Sequence, residues 1–137
     1  MIITNDGSFS KRAMDPKFKT SKTYEAEVKP KIDAKDINAL ESGITIKLEK
    51  DNREVPYDTR PATARLISHK SDRSVVEVMI SEGKKRQVRK MFETLGYEIT
   101  SLKRTAIGKL LLGNLAHGKF KEIQKSEIYK KVLGADE

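Results

Sequence analysis

The stretch from Ser81 to Leu95 constrains the fold most, because its charges and its apolar residues point to one structure. It reads S-E-G-K-K-R-Q-V-R-K-M-F-E-T-L, a glycine turn that runs into a basic helix. Four apolar residues recur at i, i+3, i+4 and i+7, the spacing that lines one side of a helix: Val88, Met91, Phe92 and Leu95. We therefore predict a helix that packs this side against a core.

The basic residues of the same helix fall in two places. At about 100° per residue, Arg86 and Lys90 lie near the centre of the polar face, whereas Arg89 lies beside Phe92 at the edge of the apolar stripe. A partly buried guanidinium needs a carboxylate or a phosphate within reach. Two interpretations are open from this stretch alone: Arg89 belongs to a functional site, or the helix has a solvated basic face with one arginine at its boundary.

Length and charge limit the class of protein. A chain of 137 residues indicates a single domain, residues 1–137, that buries on the order of two-thirds of its unfolded surface. With 28 Lys and Arg residues against 20 acidic ones, its net charge is +8, which favours a polyanionic partner and nucleic acid first. No stretch approaches the ~20 apolar residues of a membrane span, and no signal peptide is visible. We expect a cytoplasmic monomer without a membrane partner.

Cysteine and histidine usage excludes several chemistries. The chain has no cysteine, which rules out disulfides, zinc-thiolate sites and a thiol nucleophile. Its two histidines, His69 and His117, are far apart and form no metal-ligand cluster. We predict no metal site, and we assign neither histidine a role.

The order of predicted elements indicates an α+β fold with a largely antiparallel sheet and flanking helices. Strands or extended segments are predicted at 1–4, 22–28, 44–48, 62–68, 74–80, 97–107 and 110–112. Helices are predicted at 8–14, 33–40, within the basic stretch, and at 124–133. In the strand at 22–28, strict alternation places Tyr24, Ala26 and Val28 on one face. From this pattern, Tyr24 is either a catalytic tyrosine or an aromatic residue of the core or its rim.

Four blocks in sequence order resemble the pseudouridine synthases that modify bacterial ribosomal RNA in both subunits. I-I-T-N-D-G at 2–7 resembles the end of the catalytic block of that family, and K-T-Y-E-A-E-V at 22–28 its tyrosine strand. E-G-K-K-R-Q-V-R-K-M at 82–91 is similar to the family block E-G-x-x-R-Q-V-R-R-M. L-K-R-T-A-I-G at 102–108 continues as the L-K-R-x-x-I-G strand does. Four ordered blocks are far more specific than one.

The resemblance implies an RNA pseudouridine synthase, an isomerase that needs no cofactor. In that family an aspartate breaks the glycosidic bond of a uridine, the base rotates and rejoins through carbon, and a ring proton is removed. By resemblance, Tyr24 stacks on the flipped uracil and assists proton removal, while Arg89 pairs with the aspartate. Base flipping needs such an aromatic face and such a charge. The RNA-binding residues implied are Lys84, Lys85, Arg86, Gln87, Lys90, Lys103 and Arg104.

The chain departs from the family pattern at three points. The G-R-L-D block with the nucleophilic aspartate lies directly upstream of T-N-D-G in the family, so here it would fall before Met1. Asp6 belongs to the following turn and cannot replace that group. We also expect the small N-terminal RNA-binding domain of the family to be missing from this chain. Finally, the family often has Arg or Asn at the positions of Lys84, Lys85 and Lys90. A lysine cannot replace the two parallel hydrogen bonds of an arginine wherever such a bidentate contact was used.

We therefore expect the C-terminal part of a catalytic domain, inactive by itself because the nucleophile is missing. The alternative is a non-catalytic RNA-binding module that keeps the scaffold. A third hypothesis is a basic ribosome-associated structural protein, in which Tyr24 and Arg89 need not approach each other. The enzyme hypothesis predicts that these two residues face one cleft, which also contains the first strand.

Overall fold

A five-stranded antiparallel sheet forms the centre of the computed structural model, which describes residues 1–134. Its strand order is β4-β5-β1-β6-β7, and a separate hairpin pairs β2 with β3. The strands are β1 (Lys22–Lys29), β2 (Thr45–Lys50), β3 (Arg53–Asp58), β4 (Thr63–His69), β5 (Ser74–Ile80), β6 (Glu98–Ile107) and β7 (Leu110–Leu111). The helices are α1 (Gly7–Met14), α2 (Ala34–Ser42), α3 (Gln87–Thr94) and α4 (Lys125–Ile128), which a π-helical turn (Tyr129–Leu133) extends. The α+β class with a largely antiparallel sheet is confirmed.

Strand β1 lies in the middle of the sheet, and its alternation sets the two faces. Ala26 and Val28 are fully buried, whereas Glu25 is exposed on the opposite face. In register, Tyr24 lies between Val78 of β5 and Arg104 of β6. The predicted face of β1 is therefore the face that covers the core.

Helix α3 packs its predicted apolar side against this face. Val88, Met91 and Phe92 are buried in the main core cluster, together with Ala26 and Val28 of β1. Arg89 is half-buried beside them, as the helical spacing predicts. Burial of a continuous apolar stripe is the main source of stability for a helix of this length, because isolated short helices are marginal in water.

The first residues differ from the prediction. Residues 1–4 form no strand, and no strand in the described part of the chain pairs with them. The chain then enters α1 through Asp6, whose side chain accepts a hydrogen bond from the Phe9 N–H at 3.1 Å. Phe9 packs with Tyr129 and Val132 in a second, smaller core that docks the C-terminal helix. No helix within residues 1–134 is long and apolar enough to cross a lipid bilayer.

Candidate active site

A cavity of about 460 Å³ opens between the N-terminal segment, strands β1 and β6, and the turn before α3. Tyr24 and Arg89, which are 65 positions apart in the sequence, both line it. Ile2 and Thr4 contribute to the same wall, although not as a strand. The predicted shared cleft is therefore present, and its N-terminal side is an irregular segment. This arrangement is the one that the enzyme hypothesis predicts, whereas the structural-protein hypothesis does not require it.

The charge of the cavity wall has one sign. Among the described residues, its lining includes five basic side chains and no acidic one; the basic residues are Lys22, Lys84, Arg86, Arg89 and Arg104. Burial lowers the pKa of Lys22 below its usual value, and the nearby Arg104 lowers it further. Cations are crowded together here without a counter-charge in the wall. Such a cavity favours an anionic ligand.

Arg89 has the placement that its sequence position predicts. Its side chain is half-buried in the cavity wall, and it forms no hydrogen bond or ion pair with any residue that the structure describes. A guanidinium presents five N–H donors in a planar fork that suits a carboxylate or a phosphate. Arg89 is therefore available to a group that enters the cavity.

Tyr24 differs from the other three tyrosines of the chain in its hydrogen bonding. The hydroxyl groups of Tyr57, Tyr97 and Tyr129 donate to Glu82, Asp36 and Asp6 respectively. The half-buried Tyr24 hydroxyl has no such partner among residues 1–134. Its ring packs on the edge of the main core and lines the cavity. Tyr24 thus presents an aromatic ring and a free hydroxyl group to the cavity.

A buried carboxylate shapes the turn that carries the basic residues. Glu82, only 3% exposed, accepts hydrogen bonds from the Tyr57 hydroxyl, from the Arg60 N–H at 2.7 Å and from Gln87 Nε2 at 2.9 Å. Burial alone would raise the pKa of Glu82, but these three hydrogen bonds and the Arg60 charge outweigh it and lower the pKa. Glu82 therefore ties the turn to the β2–β3 hairpin and remains ionised.

Gln87 completes this network from the first turn of α3. It is 3% exposed, and its Oε1 accepts a hydrogen bond from the Lys84 N–H at 3.1 Å. The structure places Gln87 in the scaffold of the turn and also in the lining of the cavity, and the RNA-binding role that the resemblance implies for it stays a prediction. Sequence reasoning missed Glu82 altogether; the only signal was a charged residue directly after a strongly buried strand.

The basic turn itself has an unusual backbone. Arg86 adopts the left-handed conformation, with φ +57° and ψ +29°, and lies at the N-cap of α3 rather than within the helix. This corrects the prediction that Arg86 lies on the polar face of the helix, because Arg86 precedes the first helical residue; it is also one of the residues that line the cavity. Lys84 also lines the cavity, and its ammonium group lies 5.1 Å from the centre of the Tyr57 ring.

Three residues of the predicted RNA-binding set lie away from the cavity. Lys85 is exposed outside its lining. Lys90 lines a separate groove between α3 and the hairpin, where Glu49 and Glu54 also lie. Lys103 is exposed and pairs in register with Glu25 on the outer face of the sheet. Lys103 and Arg104 are neighbours on a strand, so they point to opposite faces and do not form one patch.

One cavity residue, Lys22, was missed although the pattern could have identified it. Lys22 lies two residues before Tyr24 on β1 and therefore shares its face. Asp6, by contrast, lies outside the cavity lining, and the Phe9 N–H and then the Tyr129 hydroxyl lower its pKa. One of its carboxylate oxygens caps α1 and the other accepts a hydrogen bond from the Tyr129 hydroxyl, so Asp6 has a structural role outside the cavity. The described residues contain no cluster of three or more acidic or histidine side chains that could hold a metal ion.

Comparison with known proteins identifies the family. The sequence profile of the RNA pseudouridylate synthase family matches residues 1–94. The chain is 35% identical over 130 residues to an uncharacterized RNA pseudouridine synthase of Bacillus subtilis, covering 94% of this chain and 52% of that protein. It is 37% identical over 130 residues to ribosomal large subunit pseudouridine synthase B of the same organism, covering 93% and 50%. This chain belongs to the RNA pseudouridylate synthase family.

The three-dimensional comparison agrees with this assignment. The fold superposes on a crystal structure of a pseudouridylate synthase with a TM-score of 0.78 and 32% sequence identity, covering 94% of this chain and 52% of the other. The family and the fold class predicted from the sequence are thus both confirmed. The chain spans about half the length of the curated relatives it matches.

Proposed function

We propose that this chain is the C-terminal part of the catalytic domain of an RNA pseudouridine synthase that isomerises a specific uridine in ribosomal RNA. The main support for this proposal is the cavity that Tyr24 and Arg89 both line, together with other basic residues. The names of the relatives support RNA as substrate, and one of them is named for the large ribosomal subunit. The protein acts in the cytoplasm as a monomer, without a metal or another cofactor.

The cavity suits a nucleotide turned out of its stack. The uracil base stacks on the Tyr24 ring, because an extruded base needs an aromatic surface to replace its lost neighbours. Lys22, Arg86 and Arg104 face the flanking phosphates as positive charges in a wall without acidic groups. Lys84, Lys85, Lys90 and Lys103 then contribute to RNA affinity in different ways, since only the first of these four lines the cavity.

Two residues take part in the isomerisation itself. The bond from the ribose to N1 of uracil breaks, the base rotates, a bond to C5 forms, and the C5 proton leaves while N1 gains one. The Tyr24 hydroxyl assists removal of the C5 proton; its place in the cavity lining and its lack of a hydrogen-bond partner among residues 1–134 support this role. Arg89 pairs with the aspartate that attacks the nucleotide and fixes its orientation, which accounts for a half-buried guanidinium without an acidic partner among the described residues.

We expect the attacking aspartate to lie outside the described residues, 1–134. Asp6 caps α1, and the cavity wall contains no carboxylate among residues 1–134. We expect the aspartate to come from a G-R-L-D block outside these 137 residues. The competing function, an RNA-binding module without catalysis, predicts the same affinity for RNA but no turnover.

Tritium release from ribosomal RNA labelled at uracil C5 tests the proposal. The chain is joined to an upstream segment with a G-R-L-D block, and the extended protein should release tritium. Arg89→Ala should lower kcat by about 100-fold or more, because a misplaced reacting group costs roughly that much. Lys50→Ala, a change at an exposed lysine of the β2–β3 hairpin, is the matched control and should leave kcat unchanged. A folded extended protein that binds RNA without turnover would favour the binding-module alternative.

RNA affinity gives a second test of the cavity. Arg86→Glu should weaken RNA binding and reduce its salt dependence by about 0.7 to 0.9 log units per phosphate contact for each tenfold change in salt. Lys50→Glu makes the same change of charge at a site away from the cavity and should have a much smaller effect. Equal effects of the two variants would mean that only net charge matters, and the cavity would then not be the RNA site.

A further inference from the structure

The segment between β7 and α4, residues 112–124, presents the most exposed aromatic side chain among the described residues. Phe120 is 86% exposed, and the lysines on either side of it, Lys119 and Lys121, are exposed as well. An exposed phenyl ring loses the free energy that burial would give it. The combination of an aromatic ring with flanking cations is the one that single-stranded nucleic acid recognises.

The backbone presents this triplet in a defined turn. The Lys119 N–H donates a hydrogen bond to the Ala116 carbonyl oxygen at 3.0 Å, and Gly118 within the turn has φ +78°, which favours glycine. The segment therefore has a local turn structure directly before the exposed Phe120.

Both ends of the segment are anchored next to the cavity. Leu110 of β7 and Ile128 of α4 pack on the smaller core cluster that contains Phe9. Phe9 and Ile107 of the same cluster line the cavity wall. The segment is therefore attached at both ends to a cluster that also contributes to the cavity wall.

A second K-F-K triplet in the chain provides a contrast. At Phe18 the ring is 48% exposed, and the Arg12 guanidinium lies over it, 5.6 Å from the ring centre. Phe120 has no aromatic or cationic partner on its ring among residues 1–134. The two triplets share a sequence, but only the second leaves its ring without a cation above it.

We propose that residues 119–121 form a second RNA contact, in which an unpaired base of the substrate RNA stacks on Phe120 while Lys119 and Lys121 neutralise neighbouring phosphates. The occupant is single-stranded RNA, because the net charge of +8 selects a polyanion and the free aromatic ring selects a base rather than a duplex backbone. The proposal rests on the proposed function for the RNA that fills the cavity, and it adds a site outside that cavity.

Fluorescence anisotropy with a labelled oligouridylate tests the base contact on the 137-residue chain. Phe120→Ala should raise the Kd by about fivefold or more, since base stacking on an aromatic residue contributes that much or more. Phe120→Leu keeps an apolar surface without the ring and should raise the Kd to a similar degree. Leu111→Ala, a change at another strongly exposed apolar residue (72%), is the control and should leave the Kd unchanged. Because Phe120 and Leu111 are both highly exposed, these substitutions should not destabilise the core.

The two lysines are tested by the salt dependence of the same binding reaction. The double variant Lys119→Gln, Lys121→Gln should reduce the slope of log Kd against log salt by about 1.4, at roughly 0.7 per phosphate contact on a single strand. An unchanged slope would overturn the phosphate contacts. Wild-type affinity in Phe120→Ala would overturn the stacking contact, and wild-type affinity in Phe120→Leu alone would point to an apolar partner and against a stacked base.

RNA binding and tritium release together distinguish a failure of the Phe120 contact from a failure of the proposed function. If Phe120→Ala weakens oligouridylate binding but the extended protein releases no tritium, the RNA contact stands and the synthase assignment falls. If tritium release is normal and the Kd is insensitive to Phe120, the synthase assignment stands and the second contact falls.

Discussion

Glu82 connects the stability of this fold to the geometry of its candidate site, and its replacement by alanine should be severely destabilising. The carboxylate accepts hydrogen bonds from the Tyr57 hydroxyl, the Arg60 N–H and Gln87 Nε2. In Glu82→Ala, all three donors lose their acceptor, and the Gln87 amide, in a residue 3% exposed, has little access to water as a substitute. Each stranded donor costs about 1 to 3 kcal/mol. Because the other two donors are only part-buried, we expect a total of about 3 to 5 kcal/mol.

That loss is a large fraction of the ~5 to 15 kcal/mol by which a typical domain is stable. With an unfolding entropy of roughly 2.1 cal/mol/K per residue, it corresponds to a fall in Tm of about 10 to 17 °C. Thermal unfolding followed by far-UV circular dichroism, together with urea titration, measures both quantities. Glu82→Gln should lie between the wild type and Glu82→Ala, because its carboxamide keeps one acceptor oxygen but turns a donor toward donors.

Glu93→Ala is the matched control, since Glu93 is an exposed glutamate on α3 whose side chain forms no hydrogen bond or ion pair with the described residues. It should change the free energy of unfolding by about 0.5 kcal/mol or less. If Glu82→Ala were within about 1 kcal/mol of the wild type, the three hydrogen bonds would contribute little, and the view that Glu82 holds the basic turn in place would be refuted.

Two further predictions concern the scaffold around the site. Gly108→Ala should be more destabilising than Gly113→Ala in urea unfolding. Both glycines have a similar positive φ (+57° and +59°), but a Cβ at Gly108 would lie 2.6 Å from the Lys131 carbonyl oxygen, whereas a Cβ at Gly113 would have no heavy atom within 4 Å. Equal losses of unfolding free energy in the two variants would contradict this prediction. Hydrogen bonds, first from Arg73, lower the pKa of Glu27 from 4.5 to about 2, so its contribution to stability is present above pH 4.5 and is lost as the pH falls toward 2. Glu27→Gln should flatten the free energy of unfolding over that pH range, and an unchanged pH profile would rule out this ion pair as its source.

Residues whose placement depends on periodicity were predictable from the sequence. Strand alternation placed Tyr24 on the inner face of β1, and helical spacing placed Arg89 at the boundary of the apolar stripe of α3. Both positions follow from local geometry alone. The position of the cavity then follows from the packing of α3 beside β1, which the buried face of each element requires.

Features that depend on tertiary contacts were not predictable. The buried Glu82 binds the Tyr57 hydroxyl, which lies 25 positions upstream, and it also binds Gln87. No local sequence pattern predicts the contact with Tyr57. The left-handed backbone of Arg86, a residue of this turn that lines the cavity, was likewise not indicated by any local pattern. The separation of Lys103 from Arg104 was predictable, because neighbouring residues of a strand point to opposite faces, and the role of Lys103 in RNA binding stays a prediction.

The N-terminal segment shows a further limit of pattern reasoning. The apolar run at residues 1–4 is typical of a strand, yet a strand needs a hydrogen-bonding neighbour, and within residues 1–134 no strand pairs with it. A pattern of apolar side chains identifies which residues are favourable to bury. It does not identify the partner that would complete a sheet.

The most direct test of the account is a comparison of turnover by the chain with and without a nucleophilic aspartate. Tritium release from C5-labelled ribosomal RNA would be measured for the 137-residue chain alone, for the chain extended by a G-R-L-D block, and for that extension with its aspartate changed to asparagine. We predict release by the extended chain only, because Tyr24 and Arg89 can position a uridine but neither supplies the attacking carboxylate. Turnover by the 137-residue chain alone would contradict the account.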